Sequence, residues 1–232
     1  MSLTPDGALQ DLRSLMHRGL ALDFRPQAPL ADRPLRHSAV LILFGALDRI
    51  PAVEGSRVAP ELDVLLTRRA TGMRHHAGQI AFPGGGEEPD DAHPAATALR
   101  EAHEETGLDP AGVEVLGQIP PLHLPVSNNL VTPVIGWWHS PSEVAADHTE
   151  SVDVFRVPVA ELLTPTARGT SVLTRPTPEG TKVTHRGDAF RLAPRLGGHI
   201  VWGFTGMLLA ALFDELGWAG PWDPDQEFLV LP

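Results

Sequence analysis

The 232-residue chain is predicted to form a single α/β or α+β domain. Three observations carry that expectation. Short apolar runs of strand length recur along the chain. One helical pattern sits near the middle and another near the end, with strand candidates on both sides of the first. Hydrophobic residues make up 42% of the chain, enough for a real core, which argues against wholesale disorder.

The elements follow in order. Leu9, Leu12, Leu15, Met16 and Leu20 recur at helical spacing, so residues 4–20 are expected to form an amphipathic first helix. A Pro-rich linker follows, with Pro26, Pro29 and Pro34. "SAVLILF" (Ser38–Phe44) and "LDVLLTR" (Leu62–Arg68) are apolar runs expected as buried strands. "ATGMRHHAGQ" (Ala70–Gln79) is polar and turn-rich, hence a loop, and "IAF" (Ile80–Phe82) is a brief extended stretch before Pro83 and three glycines. A helix is expected from Pro94, whose missing N–H suits a first turn, to Thr106, with Gly107 stopping it. Val113–Ile119, Leu130–Trp138 and Ser151–Val157 are further strand candidates. Val183–Leu192 reads as a hairpin turning near Arg186-Gly187, and a last helix runs from about Val201 to Leu216. The organisation expected is a helix and linker over residues 1–34, a domain over 35–217 and a tail over 218–232.

Composition narrows the function. There are no cysteines, so disulfides and thiolate metal sites are excluded, which fits a reducing, cytoplasmic setting. No early segment reads as a secretory leader, and no apolar run is long enough to span a bilayer. The net charge of −11 repels polyanions, which argues against a nucleic-acid binder. A small anionic ligand remains compatible, given a metal and a few local cations.

The segment "GGGEEPDDAHPAATALREAHEETG" (Gly84–Gly107) raises the sharpest question. Glu101, Glu104 and Glu105 are spaced i, i+3, i+4 and share one helix face. Three carboxylates so close repel one another unless a cation joins them. Hard divalent ions with oxygen ligands, Mg²⁺ or Mn²⁺, are the natural partners. The glycine turn lets backbone approach a ligand closely. A double glutamate in a helix is by itself usually a solvated face. The glycines, the spacing and the Arg100-Glu101 pair together reverse that balance.

"REAHEETGL" (Arg100–Leu108) resembles the second half of the Nudix hydrolase signature, with Ala102 in its aliphatic slot. In the first half, five residues separate Gly85 from Asp91, where the signature has Glu, and eight rather than seven separate Asp91 from Arg100. Upstream, "LLTRRATGMRHHAGQIAFPGG" (Leu65–Gly85) looks like the extended motif of the coenzyme A diphosphatase branch, whose members tend to share both departures. Pro121–Gly136, Glu150–Leu163 and His199–Leu209 also resemble that branch, so the likeness covers roughly Ser38 to Leu216. The resemblance implies a Nudix-type α/β/α sandwich with a mixed β-sheet and a loop–helix–loop metal site. It implies hydrolysis of a diphosphate linkage in coenzyme A or its acyl esters, giving 3′,5′-ADP and (acyl-)4′-phosphopantetheine.

The residue roles expected from that resemblance are these. Glu101, Glu104 and Glu105 match the metal-binding glutamates, with Gly85 beside them, and Arg100 orients a carboxylate. The general base is Glu101 or a later carboxylate such as Glu150 or Asp153, and Asp91 is a further ligand candidate. His76, Gly78 and Gln79 match the branch's upstream motif and are expected in the substrate pocket. Arg68, Arg69 and Arg74 are candidate phosphate contacts. His75 has no assigned role, and Trp202 and Phe204 are placed in the core or near the ligand. The partner expected is a small diphosphate, with neither nucleic acid nor membrane, and a homodimer is among the expected assemblies. Two other readings stay open: a diphosphatase for ADP-ribose, dinucleotides or nucleoside triphosphates, and a non-catalytic ligand-binding module of the same fold.

Overall fold

The structure, a computed structural model, describes residues 4–20, 34–46, 58–70, 78–125, 127–176 and 181–231. In chain order the elements are α1 (Pro5–Arg18), β1 (Arg36–Ala46), β2 (Leu62–Arg69), β3 (Ile80–Ala81), β4 (Gly84–Gly86) and α2 (Pro94–Thr106). Then come β5 (Val113–Gln118), β6 (Leu122–Leu124), β7 (Asn129–Trp138), β8 (Ser151–Pro158) and α3 (Val159–Leu162). The chain continues through β9 (Arg168–Pro176), β10 (Lys182–Arg191), β11 (Ile200–Val201), α4 (Gly203–Glu215) and β12 (Glu227–Leu229).

The larger sheet follows the path β3-β2-β1-β7-β5, with β4 beside β1, β6 beside β7 and β8 beside β2. It is mixed, because β1 and β7 run parallel from Arg36 to Phe44 while the other pairs are antiparallel. The far edge of β1 is shared. β4 pairs with it at Ser38–Val40 and β2 at Phe44–Ala46. Glycine is required at the β4 position because a Cβ on Gly84 would collide with the Ala39 carbonyl oxygen and the Val40 Cα.

Both faces of β1 are covered, as a strand buried on two sides demands. Ala39, Leu41 and Leu43 join a core with Ala95, Ala98 and Ala102 of α2. Ile42 and Phe44 join the larger core, with Leu12 and Leu15 of α1 and Leu208, Leu212 and Phe213 of α4. The period of two along the strand therefore sorts side chains into two helix layers, giving the α/β/α sandwich. α1 is capped by the Thr4 hydroxyl, which accepts from the Gly7 N–H. It is tied to the body by Arg13–Glu114 and by Trp218 Nε1, which donates to Asp11 at 3.0 Å. The C-terminal residues add Trp218 to the same core and β12 to the second sheet.

That second sheet has the order β11-β10-β9-β12. It corrects one expectation. Residues 183–192 are not a hairpin turning at Arg186-Gly187. They lie in the long strand β10 and the residue after it, and β10 pairs antiparallel with β9 from Lys182↔Pro176 to Phe190↔Arg168. Gly187 is an ordinary ladder position opposite Ser171, because the long partner strand outweighs the local turn signal. The Pro-rich linker lies mostly outside the described residues. No helix among the described residues is long and apolar enough to cross a membrane.

Candidate active site

Helix α2 is set by its ends and its underside. His93 accepts from the Ala96 N–H at its start, Pro94 occupies the first turn, and Gly107 closes it in the left-handed conformation at φ 69°. Three alanines on the underside bring the helix close to β1. The upper face carries the three glutamates, and packing gives them different depths. The Glu105 side chain is 4% exposed, Glu104 55%, and Glu101 lies between them.

Gly85 lies directly under Glu101. A Cβ at that position would sit on the Glu101 carboxylate and displace it from its present place. Burial raises the pKa of Glu101. It pushes Glu105 up to about 8, against the opposing pull of Arg69, at 3.9 Å, and of the Gly84 N–H, at 3.3 Å.

Arg100 is the organiser of the upper face. Its Nε and Nη2 donate to the two oxygens of Asp91 at 3.1 and 3.0 Å, a bidentate pair. Nη2 also donates to the Gly86 carbonyl at 2.8 Å, and Nη1 donates to Glu101 at 3.0 Å and Glu104 at 3.1 Å. Asp91 is thereby placed as the anchor of Arg100, away from the cleft lining, and the guanidinium holds its carboxyl well below the usual range. One Asp91 oxygen also accepts from the Glu88 N–H, which ties the loop before α2.

The fourth carboxylate arrives from the loop between β7 and β8. That loop is pinned to the end of α2 by Ala145 N–H to Thr106 O and by Asp147 N–H to Glu105 O. The Asp147 carboxylate accepts from the backbone N–H groups of Glu150 and Ser151 and from the Thr149 hydroxyl. This tight turn turns Glu150 toward Glu101, Glu104 and Glu105 across a cleft of about 570 Å³. Asp147 was not anticipated. Its signal in the sequence is an Asp followed closely by Thr149, a turn pattern with many uses.

Hard oxygen donors in such number fit a divalent cation better than they fit one another. Among the described residues, however, no three acidic or histidine side chains converge as an assembled metal site. Arg100 Nη1 occupies one oxygen each of Glu101 and Glu104.

The remaining expected residues divide. Arg69 lines the cleft, and its backbone pairs with Gly78 and Gln79 where the β2–β3 connection closes. Arg68 faces Asp153 across the β2–β8 ladder, and its Nε donates to that carboxylate at 2.6 Å. Neither Arg68 nor Asp153 lines the carboxylate cleft. Arg74, His75 and His76 lie outside the described residues. Gln79, Trp202 and Phe204 line a second, apolar cavity of about 320 Å³, with Phe82, Leu124 and Leu173. Arg69 and Gly84 belong to both cavities, so the two meet there. Arg175 and His185, on the wall of the apolar cavity, carried no sequence signal. They sit on a ladder whose partner strand was not anticipated.

A glycine strand beneath an acidic helix on a covered mixed sheet is the arrangement to be placed in a family, and the family match covers it. The family model described as NUDIX domain matches residues 52–174. The chain belongs to the Nudix hydrolase family, enzymes that act on diphosphate linkages. It is 35% identical over 208 residues to "Uncharacterized Nudix hydrolase NudL" of Shigella flexneri serotype 5b (strain 8401), covering 87% of this chain and 97% of that protein. The protein of the same description from Cronobacter sakazakii is 40% identical over 139 residues, covering 60% of this chain and 66% of the relative. Among solved structures, a MutT/nudix family protein from Enterococcus faecalis is 14% identical with a TM-score of 0.45, over 90% of this chain and 69% of that one.

Proposed function

We propose that this enzyme hydrolyses the diphosphate of coenzyme A or its acyl esters with Mg²⁺ or Mn²⁺, releasing 3′,5′-ADP and (acyl-)4′-phosphopantetheine. The observation that carries the reading is the junction of the two cavities at Arg69 and Gly84. A diphosphate among the carboxylates can extend one of its two organic substituents into the apolar pocket beside it. The upstream run Leu65–Gly85, which resembles the coenzyme A diphosphatase motif, forms part of both walls.

Glu101, Glu104 and Glu105 would hold the metal, aided by the Gly85 backbone. When bound, it supplies charge for the diphosphate oxygens and lowers the pKa of a water. Arg100 positions Glu101 and Glu104. Arg69 faces the diphosphate oxygens and supplies positive charge where negative charge gathers. Glu150 is assigned as general base. It is exposed in the cleft, and its carboxylate has room to take a proton from the attacking water. Glu101 is engaged by Arg100 and Asp153 by Arg68, which leaves Glu150 the freer carboxylate.

The test is a substrate panel of coenzyme A, acetyl-coenzyme A, ADP-ribose, diadenosine polyphosphates and nucleoside triphosphates, assayed with each metal. Mass spectrometry of the coenzyme A reaction is expected to show 3′,5′-ADP and 4′-phosphopantetheine at the highest kcat/KM of the panel. Better hydrolysis of ADP-ribose would overturn the substrate and leave the diphosphatase chemistry standing.

A further inference from the structure

The apolar cavity has one charged wall, and it comes from the second sheet. In the β9–β10 ladder, Arg175 lies opposite Val183 and Leu173 opposite His185. Side chains two residues apart on a strand share a face, so Leu173, Arg175, Val183 and His185 form one surface. Three of these four line the cavity. Arg175 and His185 are diagonal neighbours on it, within reach of a common ligand group.

Arg175 is poorly matched to its surroundings. Its Nε is shut off from solvent and, among the described residues, has no hydrogen-bond partner. Arg168 also has a buried Nε, but its guanidinium is paired with Asp188 and Asp214, as Arg68 is with Asp153 and Arg100 with Asp91, whereas among the described residues no carboxylate pairs with Arg175. A guanidinium donor buried without an acceptor is costly, and an anion that arrives with the ligand removes the cost. The cavity facing it is apolar and is lined by Trp202 and Phe204, partly exposed aromatic side chains suited to a flat heteroaromatic base. A bare pantetheine arm brings no such charge and no such ring.

We propose that this cavity is the adenosine subsite, and that Arg175, with His185 beside it, binds a phosphomonoester on the ribose, remote from the scissile diphosphate. The inference rests on the coenzyme A reading, because the 3′-phosphate is what separates that substrate from most adenosine diphosphates. It also moves the phosphate contact from the β2 arginines to the second sheet. Arg68 is already paired with Asp153, and Arg69 stands at the diphosphate cleft.

The test uses binding, so that it does not depend on turnover. Calorimetric titrations with adenosine 3′,5′-bisphosphate and with 5′-AMP are run in EDTA on the wild type, Arg175→Ala and Arg175→Lys. The wild type is expected to prefer the bisphosphate by about tenfold or more, as a charge-assisted contact implies. Arg175→Ala should reduce that ratio to about twofold or less, and Arg175→Lys should keep part of it. A wild-type ratio near one, or a ratio unchanged in Arg175→Ala, overturns the assignment. If the preference exists and is lost in Arg175→Ala while coenzyme A is not cleaved, the subsite stands and the substrate reading falls. If coenzyme A is cleaved but the ratio survives the substitution, the substrate stands and the subsite falls.

Discussion

The buried Glu105 makes a quantitative prediction for the metal-free protein. Its carboxyl titrates at about 8 in the fold, against an ordinary 4.5, chiefly because burial disfavours the charge. A folded pKa above the unfolded one means that the native state holds its proton more tightly. That contribution is fully present below 4.5 and is lost as pH rises through about 8. At about 1.4 kcal/mol per pH unit, the loss approaches 5 kcal/mol, a large part of the stability of a typical domain. Glu101, raised for the same reason, adds in the same direction. Urea unfolding in EDTA from pH 5 to pH 9 should therefore show stability falling steadily with pH. Glu105→Gln cannot ionise, so it should flatten most of that slope and exceed the wild type at pH 9. Adding Mg²⁺ should restore wild-type stability at pH 9 and leave Glu105→Gln nearly unmoved, because the charge that folding resists is the charge a cation needs. Parallel pH profiles for the two proteins, or a wild type that gains stability between pH 6 and 9, would refute the reasoning.

Two further predictions test other parts of the molecule. Glu150→Gln should lower kcat by about 10²- to 10⁴-fold with KM little changed, as expected for loss of a general base, in steady-state assays at saturating metal; a kcat within a few-fold of the wild type would return the role to Glu101. Arg168 is buried, donates to Asp214 at 2.6 and 2.7 Å and to Asp188 at 3.2 Å, and stacks on Trp222 at 4.6 Å. Arg168→Ala should cost about 2–3 kcal/mol in chemical denaturation, because the aspartates it leaves are partly exposed and keep some hydration.

Much of the frame follows from local chemistry. Helix α2 begins at Pro94 and ends at Thr106, as the proline and Gly107 require, and the strand runs at Ser38–Phe44, Leu62–Arg68 and Ser151–Val157 lie within observed strands. Each is a local signal: a cap, a fixed φ, or an apolar run too short for a helix. The i, i+3, i+4 spacing likewise places three glutamates on one helix face. The expected hairpin at Arg186-Gly187 fails for the converse reason. A turn signal is local, whereas strand pairing is decided by the partner, and β10 finds β9 along its whole length.

Near neighbours along the chain are enough to set the acidic helix face, the glycine turn ahead of it, the apolar strands and the lack of thiol chemistry. Which carboxylates differ was settled by the packing of distant segments. It buried Glu105, left Glu104 outside, spent Asp91 on Arg100 and Asp153 on Arg68, and brought Glu150 to the cleft on a turn held by Asp147. It also set Arg175 against the apolar cavity from a sheet about a hundred residues downstream of β2. Spacing along a helix specifies direction, but desolvation and ion pairing depend on what the rest of the chain places alongside, and those partners come from distant segments.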